Sequence, residues 1–468
     1  MIKKLLTNSA IYGIAPHIPK VVSIFLLPIL TAYLTDVDYG IAGTIAAYTM
    51  ALAALSTMGF SVVLQISFFK SRCQYKVLWR EIYGFLQYWM VVFSLIQSVV
   101  LYFVIPKEAE ANKWLIILLT NFNGVIFGPA GLIGPLYYQL SQHPFPVAIR
   151  SMALGFLTIL INYICIVIFK WGYMGWYISS FMGTFLINAS YWYSLSYHLK
   201  LSPIYNFKFR TIKRNLRVAI PTIPHYYTYF LITTSNRVVM DRSNMDLALI
   251  GKFNMAQQFT AMFESFIRAV ECAIGPMCMD AIRDNDEKES KRIVYVFWLI
   301  TFFSTFLFSL WSREIFSLLI SNKALSDTYP YAAVLVLALN YRPMYIASSN
   351  IYFYHERTLE LLYITFGAGV IALLANIVFI PKYGLWAACI INYIAFLYQG
   401  YSGFFYKTFK VKAKEHYPFI KIMLLQLLMS VICLSVLDQE YIVKLCITIA
   451  FVLLVGILFL RIVQRTSK

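Results

Sequence analysis

Long apolar runs separated by short polar segments recur along the whole 468-residue chain. A helical run of about 20 residues crosses roughly 30 Å of hydrocarbon. A lone spanning segment must satisfy its backbone hydrogen bonds internally, so helices are favoured. The pattern predicts an all-α polytopic membrane protein. We expect about 14 transmembrane helices, near residues 8–34, 41–69, 82–105, 114–140, 145–169, 172–197, 218–240, 247–279, 293–311, 329–353, 358–380, 383–406, 418–437 and 441–460.

Composition supports this class. Hydrophobic residues make up 60% of the chain and charged residues 13%, against about 25% charged in ordinary globular domains. The first apolar run has no small-residue cleavage site, which predicts a retained helix and not a signal peptide. The seven cysteines show no CxxC spacing and mostly lie in apolar runs, which is typical of packing residues. We therefore predict no metal site and no cofactor.

The net charge of +18 is explained by topology. With the N-terminus in the cytoplasm, 26 of the 39 Lys and Arg fall in cytoplasmic segments and 8 fall on the other side. The positive-inside rule then places both termini in the cytoplasm. The basic segments are expected to contact anionic membrane lipids, and nucleic acid is not expected as a partner.

One proline-marked helix occurs twice, at residues 15–31 and 218–242. Each copy opens with two prolines three residues apart, and each carries ionisable groups at membrane depth, which is where functional sites are expected. The prolines are Pro16, Pro19, Pro221 and Pro224, and the ionisable residues are His17, Lys20, His225 and Arg237.

Later segments repeat as well. Lys170 and Gly172 match Lys382 and Gly384 at a constant offset of 212. A repeat of six spans predicts two six-helix bundles related by a pseudo-twofold axis along the membrane normal, plus two extra C-terminal helices. The predicted domains are an N-terminal bundle (1–198), a basic cytoplasmic linker (199–217), a C-terminal bundle (218–410), and two additional helices with a basic tail (411–468).

Five cations remain within the spans, against two acids at comparable depth. Glu264, Arg268 and Glu271 share one helical face, so the acids can neutralise Arg268. Lys20, Arg237, Lys252 and Arg342 are left in surplus. For Lys20 and Arg342 this predicts either a water-filled cleft between the bundles that binds an anionic ligand or pairing with structural partners.

The other ionisable residues keep two interpretations each. Arg237 is a substrate-binding candidate or a side chain that reaches the outer surface. His17, His225 and Arg268 are substrate-binding candidates too, although His225 can also satisfy carbonyls freed by the proline kink. Glu264 and Glu271 are candidates for ion coupling, and the alternative for Glu264 is a structural salt bridge to Arg268. Arg150 is interpreted as an interfacial anchor.

Residues 8–40, 218–242 and 379–388 resemble the Wzx-like polysaccharide flippases of the multidrug/oligosaccharidyl-lipid/polysaccharide exporter superfamily. The resemblance spans about 1–410. It implies a V-shaped pair of six-helix bundles that moves an undecaprenyl-pyrophosphate-linked oligosaccharide across the bacterial inner membrane by alternating access. Candidate partners are this lipid-linked substrate, membrane lipids and polysaccharide assembly proteins. Asn236 precedes Arg237 where many relatives carry an acid, which puts an ion-coupling role at that position in question.

Two other functions remain open. A multidrug exporter of the same superfamily is the transporter alternative, although cationic drugs would favour acids in the cavity and this chain has basic residues there. A membrane glycosyl polymerase or ligase is the enzyme alternative. Such an enzyme would be expected to carry catalytic charges on a long external loop, whereas the longest external segment here is 312–328. We therefore predict a transporter and not an enzyme.

Overall fold

A computed structural model describes residues 18–70, 75–284, 286–355, 357–413, 415 and 417–464. These residues form helices joined by short turns, and no β-strand occurs within those ranges. Each of the fourteen predicted spans contains helix. The predicted all-α membrane fold is confirmed.

The first eight helices are α1 (Ile18–Tyr33), α2 (Asp36–Ser56), α3 (Phe60–Lys70), α4 (Tyr75–Val104), α5 (Lys113–Leu140), α6 (Phe145–Tyr163), α7 (Tyr173–Tyr193) and α8 (Phe209–Ala219). Helices α6 and α7 continue into π-helical turns at Ile164–Ile168 and Ser194–His198. A capping box in which Thr35 and Asp38 exchange hydrogen bonds starts α2, which satisfies amides that a helix N-terminus leaves unpaired.

The remaining helices are α9 (Ile223–Thr233), α10 (Ser235–Arg242), α11 (Leu247–Arg283), α12 (Glu287–Leu310), α13 (Ser312–Leu319), α14 (Lys323–Ser326), α15 (Tyr329–Ala338), α16 (Arg342–Tyr354), α17 (Thr358–Tyr401), α18 (Lys407–Lys412), α19 (Phe419–Ser435) and α20 (Tyr441–Gln464). By length and composition alone, 7 helical stretches of the described chain can cross a membrane. One of them, Leu359–Phe405, holds two predicted spans that meet at a non-helical Gly384. Other spans are assembled from shorter pieces.

The second predicted span is interrupted between α2 and α3. Met58 and Gly59 have φ angles of 47° and 73° there, the left-handed region that favours glycine. A Cβ atom on Gly59 would lie 2.4 Å from the carbonyl oxygen of Ala219. The indole of Trp89 donates to the carbonyl of Leu55 at 2.9 Å. The interruption therefore packs closely against Ala219, and the Leu55 carbonyl beside it accepts a hydrogen bond from Trp89.

The predicted interruption at the second proline pair is present. A 3₁₀ turn, Ile220–Thr222, separates α8 from α9 and contains Pro221. Thr234 then separates α9 from α10 with a non-helical φ of −122°. Proline removes a backbone donor and clashes one turn back, which explains the first interruption. In the first copy, Pro16 lies outside the described residues.

The chain divides into two compact units. The first comprises Met1–Phe230 and Asp246–Gly251, and the second comprises Leu231–Met245 and Lys252–Lys468. The core of the first unit is built around Trp79, Tyr83 and Tyr191, and Ile212 of α8 joins it. In the second unit, Phe451 of α20 packs against aromatic rings of α12. The finer division into linker and appended helices stays a prediction.

Two matched glycines adopt the same unusual backbone conformation. Gly172 has φ 53° and ψ −134°, and Gly384 has φ 63° and ψ −141°. Only glycine adopts this region readily because it has no Cβ atom. This shared backbone conformation supports the internal repeat independently of the similarity in sequence. The predicted symmetry axis stays a prediction.

Candidate functional site

The structure describes five of the eight predicted site residues in full. His17 lies outside the described residues, and so do the side chains of Lys20 and His225. The five described in full are Arg237, Glu264, Arg268, Glu271 and Arg342, and all of them belong to the second unit. Among the described residues, no group of side chains could hold a metal ion.

A break in the tenth span positions Arg342. The 3₁₀ turn Leu339–Tyr341 separates α15 from α16, and Arg342 is the first residue of α16, followed by Pro343. The fully buried amide of Gln426 donates to the backbone oxygen and to the side-chain oxygen of Asn340, both at 3.0 Å. Helix α19 thus satisfies polar groups at the break, so the backbone turn is stable inside an apolar unit.

Arg342 belongs to a cluster of four charges with α11. Its Nε lies 2.6 Å from Glu271 Oε2, and its Nη1 lies 3.6 Å from Glu264 Oε1. The same oxygen of Glu264 accepts from Arg268 at 3.1 Å and 2.8 Å. Two arginines and two carboxylates therefore form one continuous ion-pair chain, which we call the charge cluster.

This geometry corrects one sequence-based expectation. We expected both acids to neutralise Arg268 and Arg342 to remain in surplus, but Glu271 bonds to Arg342 instead. The helical spacing predicted the Glu264–Arg268 pair correctly. It could not predict the pairing of Glu271, whose partner lies 71 positions away in the sequence.

The charge cluster can respond to a ligand in two ways. Its formal charge is zero, so protonation of either carboxylate leaves a net positive charge. An anion can also compete with a carboxylate for a guanidinium group. Arg268 is the accessible cation, with 46% of its side chain exposed against 17% for Arg342 and 5% for Glu264.

Arg237 lies in a second polar position of this unit. It follows the break at Thr234 and is only 9% exposed. Its Nη1 donates to Asn254 Oδ1 at 2.6 Å. This burial contradicts the interpretation that Arg237 reaches the outer surface. The sequence analysis did not name Asn254 as a site residue. Its position, an amide side chain within the predicted span 247–279, was the signal that could have identified it.

The first unit holds a partly open pocket of about 210 Å³ that is lined by uncharged residues. It is lined by Thr49, Ala53, Ser56, Met90, Phe93, Ser94, Gln97, Thr120, Asn121 and Gly124. Asn121 donates to Ile117 and Ser98, while its buried Oδ1 has no partner among the described residues.

Two further cations have partners on other helices. Lys444, predicted in an external segment, has a fully buried side chain whose Nζ contacts both oxygens of Glu314 at 2.7 Å and 2.9 Å. Arg150, interpreted as an interfacial anchor, is half-buried and bonds to Ser190 and Ser194 of the α7 segment. In each case the partner comes from another helix, so no local spacing revealed it.

Solved structures of transporters share this fold. The structure described as "Lipid II flippase MurJ, inward closed conformation" matches with a TM-score of 0.74 and 16% identity, covering 96% of this chain and 98% of that chain. A eukaryotic MATE transporter, AtDTX14, gives a TM-score of 0.55 and 15% identity, with 88% and 97% covered. An inward-facing multidrug resistance MATE transporter of the MOP superfamily gives 0.55 and 14%, with 92% and 96% covered. At these identities the likeness shows the fold alone.

The sequence itself carries the family assignment. No curated protein matches the chain. The pattern of one protein family, described as "Polysaccharide biosynthesis protein", matches residues 5–280, which is more than half of the chain. The resemblance inferred from the proline-marked helices agrees with this match. The chain is a multi-pass membrane protein that belongs to the polysaccharide biosynthesis protein family.

Proposed function

We propose that the protein flips an undecaprenyl-pyrophosphate-linked oligosaccharide across the bacterial inner membrane by alternating access. The cargo would be a repeat unit of O-antigen, capsule or exopolysaccharide, and both termini would be cytoplasmic. The observation that carries this proposal is a polysaccharide biosynthesis family match on a chain whose fold is shared, over nearly its whole length, with a lipid II flippase. The protein would act as a transporter with no chemical step of its own.

The charge cluster supports binding of the substrate pyrophosphate. Arg268 is the exposed member, and a guanidinium group can bind a phosphate through two hydrogen bonds. If an anion displaces Glu264 from Arg268, Glu264 still has a second cation nearby, because Arg342 Nη1 lies 3.6 Å from its Oε1 in this structure. Arg342 and Arg237 are further proposed contacts, together with Lys20, His17 and His225.

The two carboxylates are proposed to couple transport to an ion. Protonation of Glu271 would remove the negative partner of Arg342, and protonation of Glu264 would do the same for Arg268. Each event raises the charge of the cluster by one, which strengthens its attraction for an anion. A ligand that binds one protonation state more tightly shifts the balance between conformations.

Transport of a lipid-linked oligosaccharide into proteoliposomes tests the proposal. Arg268→Ala removes the exposed guanidinium, and we expect the transport rate to fall by about 10–100-fold, the range for losing a charge-assisted hydrogen bond. Arg268→Lys keeps the charge and should retain part of the rate. Arg283→Ala is the matched control, since Arg283 lies on the same helix but is 65% exposed and pairs with Asp280 and Asp284. Equal rates for Arg268→Ala and Arg283→Ala would remove the charge cluster from the mechanism.

The class of substrate is tested in cells and in vesicles. A deletion strain should accumulate undecaprenyl-linked oligosaccharide on the cytoplasmic face. Purified protein that exports a cationic dye but no lipid-linked sugar would instead be a multidrug exporter, which the MATE-like fold allows. A purified protein that lengthens the sugar chain would be a polymerase. Reporter fusions after residue 205 and at the C-terminus should both give cytoplasmic signals.

A further inference from the structure

Arg150 lies on α6 of the first unit, and its described neighbours on α5, α6 and the α7 segment are uncharged. Its Nε donates to the hydroxyl of Ser190 at 2.7 Å, and its Nη2 donates to the hydroxyl of Ser194 at 2.5 Å. Its Nη1 donates to the backbone oxygen of Pro146, one turn back on α6, at 3.0 Å. The π-helical turn that starts at Ser194 shapes this part of the α7 segment.

Two tyrosine rings complete the surroundings. The guanidinium carbon of Arg150 lies 4.8 Å from the ring centre of Tyr191 and 5.4 Å from that of Tyr138. Aromatic faces attract a cation, but they do not neutralise it. These rings fix the guanidinium plane and leave its edges for hydrogen bonds.

No carboxylate neutralises Arg150 in the part of the chain that the structure describes. The ion pairs found there do not include it. By contrast, Arg268 and Arg342 each have a carboxylate within 3 Å. A half-buried cation without a counter-ion is costly next to a bilayer, which favours an anion supplied by a ligand.

The donors left over fit a phosphate group. A guanidinium has five N–H donors, and three are used in the contacts above, so two remain on Arg150. Ser190 and Ser194 accept from Arg150, and within the described ranges neither hydroxyl donates to another group. Each hydroxyl therefore still has a proton to donate. Two N–H and two O–H donors around one positive charge match the oxygens of a phosphate, which can only accept.

We propose that Arg150, Ser190 and Ser194 form a binding site for a lipid-borne phosphate group in the first unit. Two sources carry this chemistry: the phosphodiester of an anionic membrane phospholipid and the pyrophosphate of an isoprenoid-linked substrate. The second source rests on the proposed function, whereas the first does not. The site shares no residue with the charge cluster, since its residues belong to the first unit and those of the cluster belong to the second.

Binding to purified full-length protein in detergent separates the two sources. The probes are dioleoyl phosphatidylglycerol, farnesyl pyrophosphate and, as a phosphate-free control, dioleoylglycerol, each followed by native mass spectrometry. Arg150→Met should lower the affinity for at least one phosphate probe by about tenfold and leave the affinity for dioleoylglycerol unchanged. A loss confined to phosphatidylglycerol identifies a phospholipid site, a loss confined to farnesyl pyrophosphate identifies a substrate site, and loss of both identifies a site that accepts either. A phospholipid-only result leaves the flippase proposal untouched.

Arg80→Met is the matched control for net charge. Arg80 also lies in the first unit, but its Nε donates to a backbone oxygen, that of Ser202, at 2.9 Å and not to a hydroxyl pair. The Arg80→Met variant should bind both phosphate probes with the same affinity as the unaltered protein. If Arg150→Met and Arg80→Met bind both probes equally well, the proposal is wrong and Arg150 is a structural link between α6 and α7.

A second variant tests the site even if the Arg150→Met protein fails to fold and accumulate in the membrane. Ser190→Ala combined with Ser194→Ala keeps the cation and removes the two hydroxyl donors. We expect several-fold weaker binding of the same phosphate probe, since two neutral hydrogen bonds are lost. Unchanged binding by this variant would overturn the site as described.

Discussion

The two units keep polar side chains inside a membrane by different means. In the second unit, Glu264 and Glu271 neutralise Arg268 and Arg342 within one chain of ion pairs. In the first unit, Arg150 is surrounded by hydroxyl groups and aromatic rings, and the pocket beside Asn121 is lined by uncharged residues. An anion entering the second unit must compete with a carboxylate, whereas an anion reaching Arg150 meets no competitor among the described residues. The arginines of the second unit thus have carboxylate partners, whereas the described neighbours of Arg150 are uncharged.

Breaking the ion-pair chain should have the largest effect on stability. Glu271→Ala leaves the mostly buried guanidinium of Arg342 without its nearest carboxylate. Removing one partner of a buried pair costs about 3–5 kcal/mol. We expect that loss in the free energy of unfolding, measured by denaturation in mixed micelles.

The double variant Glu271→Ala with Arg342→Met is the control for this loss. Replacing both charged partners with apolar groups is often close to neutral, so the double variant should recover most of the stability. If the single and double variants unfold alike, Glu271 and Arg342 are not energetically coupled and the ionic description of the second unit fails.

The matched glycines test whether the same backbone conformation has the same stability cost in the two units. Gly172→Ala and Gly384→Ala each place a Cβ atom in a backbone region that costs about 1–3 kcal/mol for other residues. Gly172 should be the more sensitive, because its Cβ would lie 2.8 Å from Asp38 Oδ1 while nothing lies within 4 Å at Gly384. Thermal unfolding of both variants measures the order. Equal losses would show that the backbone strain, and not the contact with Asp38, decides the cost.

Removing one hydroxyl from Arg150 should cost less than breaking an ion pair. Ser194→Ala deletes a hydrogen bond to a charged group, which contributes about 1.5–3 kcal/mol when fully formed. Since Arg150 keeps its hydrogen bonds to Ser190 and Pro146, we expect the free energy of unfolding to fall by about 1.5 kcal/mol. The same mixed-micelle denaturation measures it, with Ser304→Ala as control, because that hydroxyl bonds only to carbonyls of its own helix. Equal losses for the two variants would mean that Arg150 contributes nothing specific.

The smallest expected effect is at the pocket beside Asn121, and it has the opposite sign. Gly124→Ala should stabilise the protein by about 0.5 kcal/mol, because alanine is the better helix former. Its Cβ would approach only the flexible end of Met90, at 2.9 Å. Gly131→Ala is the contrast, since its Cβ would lie 2.3 Å from Asn188 Oδ1. A destabilised Gly124→Ala variant would indicate that the pocket cannot accept a methyl group.

The spans were predictable because each one is a local property of the sequence. About 20 apolar residues make a helix of spanning length wherever they occur, and proline marked the interruption at Ile220–Thr222 before the structure showed it. The interruption at Met58 was not predictable, because a left-handed methionine has no sequence signature and is held here by packing around Gly59.

The site was predictable only where its contacts are local. One turn of helix separates Glu264 from Arg268, so their pairing followed from spacing. The partners of Arg342, Arg150 and Lys444 come from other helices and depend on how those helices pack. Charge counting left Arg342 without an acidic partner, although Glu271 of α11 supplies one. It assigned Lys444 to the outer side of the membrane and could not show that Glu314 pairs with it.

The bond between Lys444 and Glu314 has a consequence for how the protein is made. The two residues lie 130 positions apart, with Glu314 made first. At a synthesis rate of 5–20 residues per second, Glu314 waits roughly 7–26 s for its partner to leave the ribosome. Until α20 inserts, this carboxylate lacks the ammonium group of Lys444. A nascent chain that stops before residue 444 therefore cannot join α13 to α20 through this ion pair.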